Sequence, residues 1–158
     1  MATISDPTKL DKDELLAEWA VREEELRLQF ESLKASQTQS QILLQRHERI
    51  FAFCPLPLMI IDNRATVREM NNAARFQVGS VLSSRSNHLL NSLAEASRLG
   101  FNQALRSFLH DGAAKAQQLV LSFKDLDTSY DALIVSLDTQ TPPESFVIML
   151  APEGTIPD

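Results

Sequence analysis

The sequence predicts an α+β protein: a five-stranded antiparallel sheet with helices on one face, preceded by a long N-terminal helix or helical hairpin. Three observations lead to this class. Residues 7–51 contain no glycine and, after Pro7, no proline. The run Cys54-Pro55-Leu56-Pro57 then ends the helical pattern. Beyond it, strand and helix signals follow in the order strand, strand, helices, strand, strand, strand, which favours an antiparallel sheet.

The N-terminal segment, residues 7–51, has the composition of a helix. It is rich in Glu, Leu, Gln, Arg and Lys, which are good helix formers. Asp6 and Pro7 supply a cap and a first-turn proline. Glu23 and Arg27 form an i,i+4 pair with the acid first, which is the more stabilising order.

Apolar residues recur every seven positions along this segment and predict a seam. The two seven-residue lines contain Leu16, Phe30 and Leu44 in one, and Trp19, Leu26 and Leu33 in the other. This repeat is typical of a coiled coil, so we expect a homodimer with these six residues at its interface. The alternative is a single amphipathic helix that packs on its own domain.

The middle of the segment interrupts the seam. Residues 36–41 read Ser-Gln-Thr-Gln-Ser-Gln and are polar on every side of a helix. Two interpretations stay open: one helix with a weak middle, or two helices that meet at a hinge.

A hairpin and a short helix are predicted next. Leu58–Ile61 is an apolar strand, residues 62–65 have turn composition, and Thr66–Met70 is the second strand. Asn71–Val78 is expected to be a short helix that Gly79 ends. We expect structural roles for Asn71 as the helix cap and for Asp62 in the turn.

The remaining elements are one long helix and three strands. Residues 80–92 are rich in Ser and Asn and predict loop or short helical turns. The long helix is closed by Asp111 and Gly112, and its apolar face contains Phe101, Leu105, Phe108 and Leu109. The strands are one in which Leu119, Leu121 and Phe123 alternate, one over Tyr130–Asp138, and one over Ser145–Ala151.

The last two strands are apolar on both sides. An antiparallel sheet with one solvated face should alternate apolar and polar residues, so we expect both faces to be covered. The middle helices cover one face, and the N-terminal helix or a second subunit is the candidate for the other. We expect a signal to cross this outer face, along Leu133, Val135, Leu137, Val147 and Met149.

Composition excludes several classes of protein. The 158 residues carry a net charge of -6, with a pI of about 5.1, which argues against a nucleic-acid-binding surface. The single cysteine, Cys54, excludes an intrachain disulfide and a four-cysteine metal site. The longest apolar run is too short for a membrane span, and residues 1–6 do not look like a secretion signal. The expected compartment is the cytoplasm.

Residues from about 50 to 152 resemble the PAS family. Residues 57–67 look like the first hairpin of that family, in which an apolar strand ends at an Asp, and residues 67–74 look like its second strand running into the Asn-x-Ala-Ala start of the first helix. Val78-Gly79 and the helix over residues 101–112 follow in the expected order. The resemblance implies a sensory module, and it divides the chain into a helical lead-in (7–51), a PAS-like domain (52–152) and a tail (153–158).

The sequence departs from the family pattern in two places. Asn72 replaces a common proline, and residues 151–158 lack the Asp-x-Thr exit that couples many such domains to an effector. No kinase, cyclase or helix-turn-helix segment is recognised. Two interpretations stay open: a piece of a larger regulator that carries an effector domain, or a free-standing module that acts on a signalling partner protein. In either case the chain itself is expected to be no enzyme.

Cofactor chemistry of the family finds little support in these residues. The flavin-adduct branch needs a cysteine shortly after the position of Asn71, and Cys54 is the only cysteine. A haem would need an axial ligand, for which His88 and His110 are the candidates. We expect no cofactor, no metal and no catalytic residues. Three functions remain open: a ligand-sensing dimeric module, a dimerisation domain without ligand, and a haem or flavin sensor.

Overall fold

The computed structural model describes residues 7–111, 116–139 and 142–155. The chain divides into two compact units, Met1–His47 and Glu48–Asp158. The first unit consists of most of a single helix, α1, which spans Pro7–Phe53. Of the two interpretations of the polar stretch, one uninterrupted helix is therefore the correct one, since residues 36–41 continue it.

The second unit contains a five-stranded antiparallel sheet, as predicted. Its strands are β1 (Leu58–Asp62), β2 (Val67–Met70), β3 (Gln117–Ser122), β4 (Ser129–Ser136) and β5 (Ser145–Pro152). Their order in the sheet is β2-β1-β5-β4-β3. The hairpin β1–β2 thus pairs with the last strand of the chain, and β5 lies at the centre of the sheet.

Three helices lie between β2 and β3 in the chain: α2 (Asn72–Ser83), α3 (Leu89–Ser92) and α4 (Glu95–Asp111). They pack on one face of the sheet. Phe108 of α4 contacts Phe146 of β5, with ring centroids 5.3 Å apart, a distance typical of packed aromatic pairs. The Ser97 hydroxyl of α4 accepts a hydrogen bond from the Ser122 amide of β3 at 2.9 Å.

Alternation in the strands produces the core. Every second residue is buried along β1, from Ser129 to Val135 of β4, and from Ser145 to Leu150 of β5. The largest fully buried side chains are Met59, Ile61, Leu82, Leu89, Leu93, Phe101, Leu121, Phe123, Ile134, Phe146, Ile148 and Leu150. Of the predicted helix face, Phe101, Leu105 and Phe108 are buried, whereas Leu109 is half-buried.

The prediction that Gly79 ends the first short helix was wrong. The helix α2 continues to Ser83, and Gly79 is buried inside it. Gly79 does not adopt the left-handed conformation by which a glycine terminates a helix. Val81 and Leu82 beyond it are buried in the core, and this burial favours the extra turn.

Strand ends differ from the predicted ones by one or two residues. Thr66 does not belong to β2 but makes an isolated bridge with His88. The strand β4 ends at Ser136, before the predicted Asp138, because that aspartate has another partner. Its carboxylate accepts hydrogen bonds from the amides of Glu144 and Ser145, both at 2.8 Å, and so shapes the β4–β5 connection. The predicted end of the long helix at Gly112 lies outside the described residues.

Candidate functional site

The buried side-chain amide of Asn71 joins the start of β1 to the start of α2 by hydrogen bonds. Asn71 is 1% exposed and precedes α2. Its side-chain oxygen accepts hydrogen bonds from the amides of Leu58 and Ala74, both at 2.9 Å. Its side-chain nitrogen donates to the carbonyl oxygens of Leu56 at 2.8 Å and Cys54 at 3.3 Å. All the hydrogen-bonding capacity of one carboxamide is used.

Asn71 therefore does more than cap a helix. The cap itself, the bond to Ala74, confirms the structural role expected for this residue. The other three bonds hold the segment between α1 and β1, which the sequence pattern did not indicate. The Asn71 amide also donates to the Leu58 carbonyl at 3.0 Å, so that α2, β1 and the connecting segment meet at a single residue.

The outer face of the sheet carries an apolar patch. Register places Leu58 of β1 and Leu133 of β4 on either side of Met149, and Ile60 and Val135 on either side of Val147. We call these six residues the outer patch: Leu58, Ile60, Leu133, Val135, Val147 and Met149. All six are half-buried, whereas their neighbours along each strand face the core.

Four of the five residues predicted to carry a signal lie in the outer patch. The fifth, Leu137, follows the end of β4 and is 50% exposed. Leu58 and Ile60 were missed by the sequence reasoning, although their alternation with Met59 and Ile61 indicates the same face. A role in signalling remains a prediction for all of them.

The residues of the predicted dimer seam lie on one continuous helix and are exposed. Leu16, Trp19, Leu26, Phe30, Leu33 and Leu44 are 59% to 74% exposed in the single chain. Large apolar side chains in this number leave a free helix poorly solvated. Their contact with a second chain remains a prediction.

Asp62 closes the β1–β2 hairpin, in keeping with the turn role expected for it. One carboxylate oxygen accepts from the amides of Arg64 and Thr66, both at 2.9 Å. The other accepts two bonds from the Arg68 guanidinium, at 2.9 and 2.6 Å. Burial raises the pKa of Asp62, but the hydrogen bonds from Thr66, Arg68 and Arg64 outweigh it, so the pKa lies below its ordinary value of 3.8.

The two candidate haem ligands, His88 and His110, lie in different environments. His110 is exposed in the last turn of α4, where a cationic ring suits the helix dipole. His88 is half-buried before α3, and its buried Nδ1 has no hydrogen-bond partner among the described residues. Cys54 is half-buried beyond the end of α1.

The described residues contain no group of three or more His, Cys, Asp or Glu side chains arranged to hold a metal ion. Among the same residues, no helix is both long and apolar enough to cross a membrane.

Comparison with solved structures identifies the fold as PAS-like. The chain is similar to the PAS domain of an HTR-like protein from Haloarcula marismortui, with a TM-score of 0.58 and 13% identity over 75% of this chain and 98% of that one. It is also similar to a domain of a sensory box sensor histidine kinase/response regulator from Geobacter sulfurreducens, with a TM-score of 0.53 and 11% identity over 68% and 92%.

A third similar structure is the PAS domain of a protein from Colwellia psychrerythraea, with a TM-score of 0.51 and 11% identity over 68% of this chain and 94% of that one. No protein-family model matches the sequence, and no curated protein matches it. At these identities the likeness establishes the fold. The PAS resemblance seen in residues 50–152 is thereby confirmed as a resemblance of fold.

The first prediction tests the junction at Asn71. Asn71→Asp keeps the oxygen that caps α2 but replaces the donor to Leu56 and Cys54 with a second acceptor. We expect the free energy of unfolding at pH 7 to fall by about 3 kcal/mol, because two part-buried carbonyl oxygens lose their donor and then face a negatively charged oxygen. Urea unfolding followed by circular dichroism measures this loss.

The neighbouring Asn72→Asp is the matched control. Asn72 is exposed at the first position of α2, where an acid interacts favourably with the helix dipole. We expect stability equal to or slightly above that of the unmodified protein. Equal losses in the two variants would contradict the role assigned to Asn71.

The second prediction concerns pH. A carboxyl whose pKa is lower in the folded state stabilises the protein above its unfolded pKa of about 3.9, and this stability is lost as the pH falls through the folded pKa. Asp62→Asn should therefore flatten the fall in unfolding free energy below about pH 4. Asp127→Asn removes an exposed carboxyl that accepts none of these hydrogen bonds and is the control for the loss of charge, and each profile is measured by urea unfolding at each pH. A profile unchanged by Asp62→Asn would refute the prediction.

Proposed function

We propose that this chain is a PAS-type sensory and dimerisation module of a signal-transduction regulator. The observation that carries the proposal is a PAS-like fold whose sheet is packed against helices on one face and presents the apolar outer patch on the other. The inner side chains of such a sheet contact its helices, and its outer side chains can contact another element or chain. The module would sense on the helical side and report from the outer side.

Dimerisation would use the seam of α1. Six large apolar side chains follow the seven-residue repeat on a single helix and are exposed. A helix of this kind gains most of its stability from packing its apolar face against a partner. A second copy presents the same seam, and a two-stranded coiled coil buries both.

Sensing would take place between the helices and the sheet, where a small apolar or amphipathic ligand would contact residues such as Ile148 and Phe146. Each of these inward side chains alternates along β5 with Val147 and Met149 of the outer patch. A shift of the strand backbone therefore moves both sets of side chains. Coupling of about 1–3 kcal/mol is typical of such responses, so a small change in packing is sufficient.

A second candidate, a dimerisation domain that binds no ligand, is favoured by the packing of the inner layer. The twelve large side chains of the core are less than 2% exposed and come from every strand except β2 and from all three helices of the second unit. A ligand would have to displace some of them. A haem or flavin sensor is the remaining alternative, and an absorption spectrum of the purified protein distinguishes it from the other two.

The setting of the module follows from charge and composition. The net charge of -6 makes a nucleic acid an unsuitable partner. We place the module in the cytoplasm, acting on an effector domain or a separate signalling protein rather than catalysing a reaction itself.

The third prediction tests the seam. Leu26→Glu places a charge at a seam position without a partner, so we expect a shift from dimer towards monomer. Sedimentation velocity at about 10–50 μM covers the range in which weak dimers are populated. Ser32→Glu introduces the same charge at an exposed polar position of α1 and should leave the dimer intact. A protein that is monomeric throughout this range would overturn the proposed dimer.

The fourth prediction tests signal transfer. If a ligand in the inner layer is reported through α1, its binding should change amide hydrogen exchange in residues 36–44, which include the polar stretch 36–41 that interrupts the seam. The ligand would first be identified as a compound that raises the melting temperature. Unchanged exchange in this segment, with slower exchange in β5, would leave α1 as a dimerisation element only.

A further inference from the structure

The helix α1 has a second apolar line that the predicted seam does not use. Val21, Leu28, Ala35 and Ile42 also follow one another at intervals of seven residues. At 3.6 residues per turn they lie about half a turn from the seam. We call these four residues the second stripe. Its three large members are 55% to 60% exposed, and Ala35 is exposed as well.

The spacing of the second stripe indicates a helical partner. In a straight α-helix, a strict seven-residue repeat drifts around the surface by about 20° per heptad. Such a repeat stays in contact only with another helix around which it supercoils. No charged residue interrupts the line between Val21 and Ile42, whereas Glu23 lies between Leu16 and Phe30 in one of the two lines of the seam.

The charges beside the second stripe identify the partner. Along one side run Glu18, Glu25, Ser32, Gln39 and Arg46, again at intervals of seven. This row is acidic at its N-terminal end and basic at its C-terminal end. A copy of the same row that runs in the opposite direction is complementary to it. When Ala35 of one helix lies opposite Ala35 of the other, Glu25 of one helix faces Arg46 of the other, and Ser32 faces Gln39.

The other side of the stripe is compatible with the same arrangement. Its row contains Glu24, Glu31, Thr38 and Gln45. When the helices are antiparallel, Glu24 faces Gln45 of the other copy and Glu31 faces Thr38, so that no like charges meet. Parallel helices would instead bring Glu24 against Glu25 of the other copy, which is destabilising. The central apolar contacts also match, because Leu28 then lies beside Ile42 of the second copy, whereas Val21 lies beside Arg49.

We propose that the second stripe binds a second copy of this chain in an antiparallel, two-fold symmetric contact centred on Ala35. Small side chains at the centre allow the two helices to approach closely, and a two-fold contact satisfies both copies with one surface. The contact is distinct from the seam. It is weaker than the seam, because it has three large apolar side chains and the seam has six. It therefore links seam dimers, and pairs chains that lack the seam, only above the concentrations of about 10–50 μM at which the seam is tested.

Charge reversal tests the pairing, in full-length protein that carries Leu26→Glu to remove the seam. Glu25→Arg and Arg46→Glu each turn two symmetric ion pairs into like-charge contacts. We expect each to raise the dissociation constant by about tenfold in sedimentation velocity. The double variant Glu25→Arg/Arg46→Glu restores opposite charges at the same places and should return the constant to within about twofold of its starting value. Arg64→Glu, on the exposed β1–β2 turn, is the control for net charge and should change nothing.

Cross-linking tests the direction. In a Cys54→Ser background, Leu28→Cys and Ile42→Cys proteins are mixed under mild oxidation. The antiparallel contact predicts a disulfide between the two variants and little between two copies of Leu28→Cys. Cross-linking of Leu28→Cys with itself would overturn the antiparallel arrangement. Failure of the double charge variant to recover, or the absence of any association once the seam is removed, would overturn the proposal and leave the seam dimer unaffected.

Discussion

The second unit depends on a single buried carboxamide. Asn71 bonds to the amides of Leu58 and Ala74 and to the carbonyl oxygens of Leu56 and Cys54. The two carbonyl groups belong to the non-helical stretch 54–57, whose two prolines have no amide hydrogen to donate. Because unpaired buried backbone groups are costly, this stretch needs a side chain with both donors and acceptors, and Asn71 provides one.

The sheet that starts at this junction has apolar side chains on both faces. Its inner face is sealed by α2, α3 and α4, through contacts such as that between Phe108 and Phe146. Its outer face carries the six apolar residues of the outer patch over three adjacent strands. Since the inner and outer residues alternate on the same backbone, a change in packing on one face shifts the side chains on the other face.

The helix α1 differs from the sheet, because its described side chains from residue 11 to residue 50 are all exposed. An isolated helix in water is held mainly by its own hydrogen bonds and short-range pairs such as Arg27–Glu24, at 2.7 Å. Exposed pairs of this kind contribute little. The seam and the second stripe lie on opposite sides of this helix, and we propose that each of them contacts another helix.

Much of the secondary structure follows from the sequence alone. Local features determine the elements that were predicted correctly: helix formers without glycine or proline in residues 8–51, turn residues after Ile61, and alternation in Leu119, Leu121 and Phe123. The position of Gly79 inside α2 and the long-range hydrogen bonds of Asn71 depend on tertiary structure. Burial of Val81 and Leu82 carries α2 past Gly79, and three of the side-chain bonds of Asn71 reach residues 13 to 17 positions away. The central position of β5 is likewise decided by which strands pair across the whole domain, and neither periodicity nor propensity encodes such long-range pairing.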